Sequence, residues 1–294
     1  MSLDDPVFDG RDAIERARGE RGFASEAPGL WRAGTLQPLE RPSVAVVGTR
    51  AATSYGRRLA RAMAADLGAA GCCIVSGLAL GIDAAAHEGA LEAGAPTVGV
   101  LGSGHRRFFP ARNAALAARI VAGGGAVLSP YPPDHDARPG QFLERNGVVA
   151  ALADAVVVVE APARSGALNT AGWAAGRIPV LAVPGDVDRR HVMGCHALIR
   201  DGATLARDAA DVLEALGRSG PSLRAIPQRA ADPAAAALLA AIDGGTCALD
   251  DLLAATDLAA GAALAALALL ELDGAIERSG PASYVRAASA MLRR

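Results

Sequence analysis

The sequence predicts an α/β protein: a doubly wound, mostly parallel sheet followed by a small helical module. Three observations carry that expectation. Short apolar runs rich in β-branched residues recur along the chain, helical stretches alternate with them, and small residues close most of the runs. Continuous apolar runs, rather than in/out alternation, mark strands covered on both faces, which is the condition of parallel sheets built from β–α–β units.

Residues 1–40 mix charge, Gly and Pro with little periodicity and read as an N-terminal arm, with a short helix around Arg11–Arg18. The first strand is expected over Ser43–Gly48, followed by a helix over Gly56–Ala70. Further strands are expected at Cys73–Ser76, Thr97–Leu101, Ala126–Ser129, Ala155–Glu160 and Val180–Val183. Helices between them are expected at Ile82–Ala93, Ala111–Ala122, Phe142–Leu152 and Leu168–Gly176, and a last one at Ala209–Leu216. Together these make a Rossmann-like domain over residues 41–216. Residues 217–231 collect Gly, Ser, Pro and Arg and read as a linker. Residues 232–294 then show helical segments at Pro233–Ile242, Leu249–Ala255 and Gly261–Leu272 and a hairpin at Ala275–Arg286, the pattern of a small C-terminal winged-helix domain.

Composition narrows the function classes. Hydrophobic residues make up 51% and charged ones 20%, a globular balance, and no run of eighteen apolar residues is present. The opening residues Met1–Asp5 are acidic rather than a basic signal-peptide start, so a cytoplasmic protein with no membrane association is expected. Cys72, Cys73, Cys195 and Cys247 have no zinc-ligand spacing and are expected as buried free thiols. The net charge of −2 excludes polyanion binding by the whole surface, so any nucleic-acid site must be a local patch. Every basic side chain apart from the histidines is arginine, which forks onto phosphates and stacks on bases.

In open parallel sheets ligands sit at the carboxyl ends of the strands, where turns expose N–H groups and helix N-termini attract anions. The chemically informative residues fall in those turns. Gly48, Thr49 and Arg50 follow the first strand; Ser76 and Gly77 follow the second, with Gly81 close behind; Gly102, Ser103 and Gly104 follow the third; Ser165 and Gly166 lie beyond the fifth. Arginines cluster along the same edge at Arg50, Arg106, Arg107, Arg112 and Arg145. The Gly102–Gly104 turn has Arg107 where a dinucleotide fingerprint needs its third glycine, and no P-loop is present, so no cofactor is expected.

The ordered series Val46–Arg50, Ser76–Asp83 with His87, Gly102–Gly104, Phe109–Asn113, Arg145-Asn146, Val159–Ala161, Ser165–Thr170 and Ala182–Gly185 resembles the DNA-processing protein A (DprA/Smf) family over roughly Leu30–Leu216. The resemblance implies a homodimeric single-stranded-DNA-binding protein, not an enzyme, that protects incoming DNA and loads RecA recombinase on it in natural transformation and recombination. Carried over residue by residue, the family's glycine-serine-arginine turn falls on Gly48, Thr49 and Arg50. Its tyrosine-proline-x-x-asparagine motif falls on Phe109, Pro110 and Asn113. The chain departs from the family where it has Ser129-Pro130 and where Gly147 follows Arg145-Asn146. The expected DNA-contacting set is therefore the turn residues and arginines above together with Phe109, Asn113 and Asn146.

Each feature has a plainer reading beside the functional one. Arg106, Arg107 and Arg112 read equally well as solvated loop charges. Asp83 and His87, four apart on a helix, fit an acid/base pair but fit helix capping and a buried hydrogen bond better. Glu160 is a candidate general base near Ser165. Trp173 fits core or dimer packing, and one of Phe108 and Phe109 fits core. The terminal module carries eight carboxylates against four arginines, and its third helix carries no cation, so an accessory or protein-interaction role is expected rather than duplex reading. The rival reading is a Rossmann-type nucleotide-processing enzyme resembling nucleotide phosphoribohydrolases. Those use a glycine string where this chain has Arg164-Ser165-Gly166-Ala167.

Overall fold

The structure is a computed structural model of the 294-residue chain, and it describes residues 3, 5–10, 29–218, 233–272, 275–280 and 282–286. The chain divides into two compact units, Met1–Leu223 and Arg224–Arg294.

The first unit is built on one sheet. Its parallel strands are β3 (Ser43–Val47), β4 (Cys73–Ser76), β5 (Thr97–Val100), β6 (Ala126–Ser129), β7 (Ala155–Val158), β8 (Val180–Ala182) and β9 (Thr204–Leu205). Helices connect them: α1 (Ser54–Ala69), α2 (Ile82–Glu92), α3 (Ala114–Ala122), α4 (Pro139–Ala151), α5 (Gly166–Ala174), α6 (Met193–Arg200) and, after β9, α7 (Ala209–Ala215). Strands β3 to β8 are apolar and almost entirely buried, as sheets sandwiched between helical layers require. Val44, Val46, Ile74 and Val157 pack on α1, α2 and α7, while Ala45, Val47, Val75 and Val156 pack on α4 and α5.

Strand order decides where a ligand can sit. It runs β1 (Val7–Gly10)-β2 (Gly29–Gly34)-β6-β5-β4-β3-β7-β8-β9, so the chain winds outward from β3 through β4 and β5 to β6, then returns to lay β7 on the other side of β3. The crossovers diverge at β3 and β7, and a crevice opens at their carboxyl ends.

The segment expected as an arm is part of this sheet. β1 (Val7–Gly10) and β2 (Gly29–Gly34) pair antiparallel with each other, and β2 pairs antiparallel with β6. Leu30 and Ala33 are fully buried there, and this burial fastens the segment. The helix expected around Arg11–Arg18 lies outside the described residues, as does nearly all of the expected linker. Helix α6 and strand β9 were not expected; both fall in the stretch after β8 where no apolar period runs. Cys72, Cys73 and Cys195 are buried free thiols, whereas Cys247 is half-buried. No single helix among the described residues is long and apolar enough to cross a membrane.

The second unit contains α8 (Pro233–Asp243), α9 (Leu249–Thr256), α10 (Ala260–Leu272) and a hairpin of β10 (Ile276–Gly280) and β11 (Ser283–Arg286). Leu238, Ile242, Leu252, Leu267, Leu270, Ile276 and Tyr284 form its own small core. Three helices and a wing are thus the winged-helix arrangement expected from the sequence.

Candidate functional site

The crevice is a cleft of about 580 Å³ at the carboxyl edge of β3, β4 and β7. Gly48 makes its first corner possible. A Cβ there would lie 2.5 Å from Ile82 Cγ1 and 2.8 Å from the Glu160 carbonyl oxygen, so only glycine lets the start of α2 and the end of β7 meet at this point. Thr49 donates its N–H to Glu160 O at 2.7 Å, and its Oγ1 accepts the Ala51 N–H at 3.2 Å. That tight turn projects Arg50 outward along the cleft wall.

On the opposite wall the loop after β7 brings Arg164, Ser165 and Gly166. Ser165 caps α5, its side chain accepting the Ala167 N–H at 3.3 Å. Asn146 donates to Gly166 O at 3.1 Å and so ties α4 to that cap. The helix opening here adds a partial positive charge to the wall.

An aromatic surface joins the walls. Phe142 lies beneath the Arg50 guanidinium, 5.0 Å from its centroid, and Phe109, half exposed, meets the same ring at a centroid distance of 5.6 Å. Of Phe108 and Phe109, Phe108 is the more buried, packing partly covered against the cluster that holds Leu78 and Leu101.

Charge at the cleft is lopsided. Three guanidinium groups, of Arg50, Arg145 and Arg164, face one carboxylate, that of Asp83. Arg145 is 3% exposed and sits under the floor, its Nη1 donating to the carbonyls of Gly77 and Val100. Burial lowers its pKa to about 10, so it stays protonated at neutral pH. Burial raises the Asp83 pKa, against the pull of Arg145 and of backbone N–H groups. Among the described residues neither Arg50 nor Arg164 has a carboxylate within ion-pairing reach.

The structure brings together half of the expected site and separates the rest. Gly48, Thr49, Arg50, Gly77, Phe109, Arg145, Asn146, Ser165 and Gly166 line the cleft. Ser76 does not: it is buried and donates to Val46 O at 2.7 Å across the sheet. Gly81 lies behind the first corner, at φ +84°, where a Cβ would meet Thr49 O. The corner of Gly102, Ser103 and Gly104 is sealed by the protein itself. Phe142 covers Gly102, the carbonyls of Pro132 and Pro133 cover Gly104, and Ser129 donates to Ser103 O at 2.8 Å.

Arg106 and Arg107 point elsewhere and are matched by Asp134 at 2.9 Å and Asp136 at 3.6 Å; Arg112 is exposed outside the cleft. Asn113 is buried and donates to the carbonyls of Leu78 and Ala79 at 2.9 and 3.1 Å. Arg145 also departs from expectation, being a buried clamp rather than a surface cation. Arg164, Phe142 and Thr170 belong to the cleft without having been expected there. Arg164 directly precedes Ser165-Gly166, and a cation beside a helix-opening turn is a signal the sequence contains.

The acid/base readings resolve as structure. Asp83 accepts the N–H groups of Gly77 and Ala79 at 3.1 and 3.4 Å. His87 is buried and bonds Thr97 Oγ1 through Nδ1 at 2.7 Å. Glu160 is 1% exposed and accepts both the hydroxyl and the N–H of Thr53, the residue that caps α1. Trp173 is partly exposed, with its ring against Gly147.

Residues 21–217 match the family described as DNA recombination-mediator protein A, and residues 222–280 match the DprA winged helix domain. The chain belongs to the DNA recombination-mediator protein A family. Within that family it is 41% identical over 290 residues to the putative DNA processing protein DprA of Mycobacterium tuberculosis, a match covering 96% of this chain and 73% of that protein. It is 40% identical over 195 residues to protein Smf of Escherichia coli, covering 65% of this chain and 52% of Smf. Among solved structures, DNA processing protein A of Streptococcus pneumoniae aligns with a TM-score of 0.66 at 35% identity, over 72% of this chain and 75% of that one. The Helicobacter pylori protein of this family aligns with a TM-score of 0.63 at 28% identity, over 74% of this chain and 98% of that one, and its structure was described for its single-stranded DNA binding mode.

Proposed function

We propose that the cleft binds single-stranded DNA along its sugar–phosphate backbone and that the chain acts as a non-catalytic recombination mediator. The observation that carries this is the unpaired state of Arg50 and Arg164, among the described residues, on facing walls of an open cleft in a chain whose net charge is −2. Cations left without carboxylates are what a phosphate-binding wall needs, because each phosphate neutralised releases condensed counterions. Gly48, Thr49, Ser165 and Gly166 let a backbone come close, Asn146 holds that second wall, and Phe109 and Phe142 offer faces for an unpaired base. A duplex keeps its bases stacked inside and gains nothing from those rings.

Family membership and the binding described for the Helicobacter pylori relative support the same reading. We infer its finer form as well: a cytoplasmic homodimer that protects incoming single strands and passes them to RecA recombinase in natural transformation. Glu160, which the sequence offered as a candidate general base, is occupied by Thr53, and Asp83, the carboxylate that lines the cleft, is occupied by backbone N–H groups; both favour binding over catalysis.

The test is a salt titration of binding to oligo-dT and to a duplex of equal length, with wild type, Arg50→Ala and Arg164→Ala. Wild type should prefer the single strand, and each variant should bind more weakly with a log K against log salt slope shallower by about 0.7, the value for one phosphate contact on a single strand. Equal affinity for the two DNA forms, or unchanged slopes in both variants, would remove the cleft from DNA binding.

A further inference from the structure

The turn Gly77-Leu78-Ala79 leaves β4 in a conformation that its own residues do not favour. Leu78 has φ +53°, the left-handed region, which costs a non-glycine residue energy and persists only where the surroundings fix it. Its side chain is fully buried against the Gly99 and Leu101 region, so the residue cannot simply be replaced by the glycine that the backbone would prefer.

Three side chains from three separate elements converge on this turn. Asp83, in the first turn of α2, accepts the N–H groups of Gly77 and Ala79. Arg145, from α4, donates to Gly77 O. Asn113, at the end of the short 3-10 turn Ala111–Asn113, donates to the carbonyls of Leu78 and Ala79. Each of the three is at least nine-tenths buried. Gly77 is hemmed in so closely that a Cβ would lie 2.3 Å from Arg145 Nη1 and 2.7 Å from Asp83 Oδ2. Gly77 and Ala79 in turn form part of the cleft wall, below Arg50.

Stability alone is a poor reason for this arrangement. Asp83 and Arg145 are opposite charges buried near one another, each bonded to backbone groups; the desolvation of such charges costs about as much as their mutual attraction returns, and apolar replacements are often as stable. Arg145 also keeps a buried Nε without a partner among the described residues, a further cost. We infer that Asp83, Asn113 and Arg145 are positioning residues, which lock the strained Gly77–Ala79 turn as a preformed wall of the cleft without touching the ligand themselves. This rests on the DNA-binding reading of the cleft. It assigns Asn113 and Arg145 a role different from direct contact with the strand, although both lie in the motifs that suggested contact.

The experiment compares full-length wild type, Asn113→Ala, Arg145→Lys and Arg50→Ala in two measurements. Oligo-dT affinity is followed across a salt series, and backbone amide exchange is followed at Gly77 and Ala79 and at Val46 and Val157 in the sheet. The positioning variants should lose about tenfold in affinity, the equivalent of one or two buried hydrogen bonds, with the wild-type salt slope kept. Their Gly77 and Ala79 amides should exchange at least tenfold faster, with Val46 and Val157 unchanged. Arg50→Ala should show the reverse pattern, a shallower slope and a protected turn.

A shallower slope in Asn113→Ala, matching Arg50→Ala, would make Asn113 a contact residue and overturn the inference. So would wild-type protection of the turn in the variants, or faster exchange over the whole sheet together with wild-type affinity of the folded protein. Should Arg145→Lys fail to fold, Asn113→Ala decides alone. A wild type that binds no oligo-dT removes the DNA reading instead, and the exchange measurement still settles whether these side chains hold the turn.

Discussion

The guanidinium of Arg50 lies over the ring of Phe142, 5.0 Å from its centroid. The contact does two things. It presses a cation that has no carboxylate partner among the described residues against an aromatic face, where it stays poised at the cleft mouth. It also fixes the Phe142 ring, which Phe109 contacts as well, tilted at an interplanar angle of 54°.

Phe142→Ala is therefore expected to cost about 1–3 kcal/mol of oligo-dT affinity, the range for one stacked base. The salt dependence should change little, since no phosphate contact is removed. Fluorescence anisotropy at two salt concentrations checks this, and wild-type affinity in the variant would show that the ring stacks on nothing.

Glu160 links the end of β7 to the start of α1. Replacing it with alanine strips Thr53 of the acceptor for its hydroxyl and its partly buried N–H, for an expected loss of about 1–2 kcal/mol. His191, whose Nε2 lies 3.7 Å from the same carboxylate, loses its partner too. Urea unfolding should show a lower midpoint at constant m-value. An unmoved midpoint would mean that Thr53 caps α1 without help.

Acid should weaken the fold through His87. Burial, reinforced by the charge of Arg145, brings its pKa from 6.5 to about 3. The Thr97 hydroxyl donates to Ile74 O at 2.7 Å, so it accepts from His87, which places the proton on Nδ1 and leaves the ring neutral. Between about pH 6.5 and pH 3 the unfolded chain binds a proton here that the folded chain refuses. Stability then falls on acidification through that window, by on the order of 5 kcal/mol once it is crossed. His105, lowered by burial as well, adds to the loss, while Asp83, raised by burial, opposes it. In His87→Gln the stability difference between about pH 7 and about pH 5 should shrink. An identical pH profile would exclude His87 as the source.

Gly81→Ala should damage the fold and the cleft together. Gly81 has φ +84°, and an added Cβ would lie 2.3 Å from the carbonyl oxygen of Thr49. The strained backbone and the displaced first corner together should cost about 2 kcal/mol or more in stability. Denaturant unfolding reads that cost, and a wild-type midpoint would show that the corner can shift freely.

The second unit should contribute little to strand affinity. Helix α10 carries no cation, and Gly261, Ala262, Leu264, Ala265 and Ala268 on its exposed face are all small or apolar. A chain ending at Arg218 should bind oligo-dT within about threefold of the full chain, because phosphate-holding groups set that affinity. A larger loss would place part of the DNA site in the winged helix.

The central strands were legible because buried parallel strands announce themselves as β-branched apolar runs; Cys73–Ser76 and Ala126–Ser129 lie where the pattern put them. The edge was not. Val7–Gly10 and Gly29–Gly34 include Asp9, Arg32 and three glycines, and their pairing comes from partners far along the chain. Helix α6 contains Gly194, Cys195 and His196 in sequence, which hides its period. At the site, the glycine corners at Gly48 and Gly166 were readable, since close backbone approach demands glycine or a cap. Burial of charge was not: nothing in the neighbourhood of Arg145 tells that it faces inward, and Arg106 is matched by Asp134, 28 residues away.

The first residues of the chain also decide how the molecule behaves in company. By lying along β6, strand β2 occupies amide and carbonyl groups that would otherwise form the open border of an apolar sheet. A version trimmed back to Ser43 would offer Ala126–Ser129 as a template to its neighbours, and clumping, rather than weakened DNA affinity, would be its first symptom.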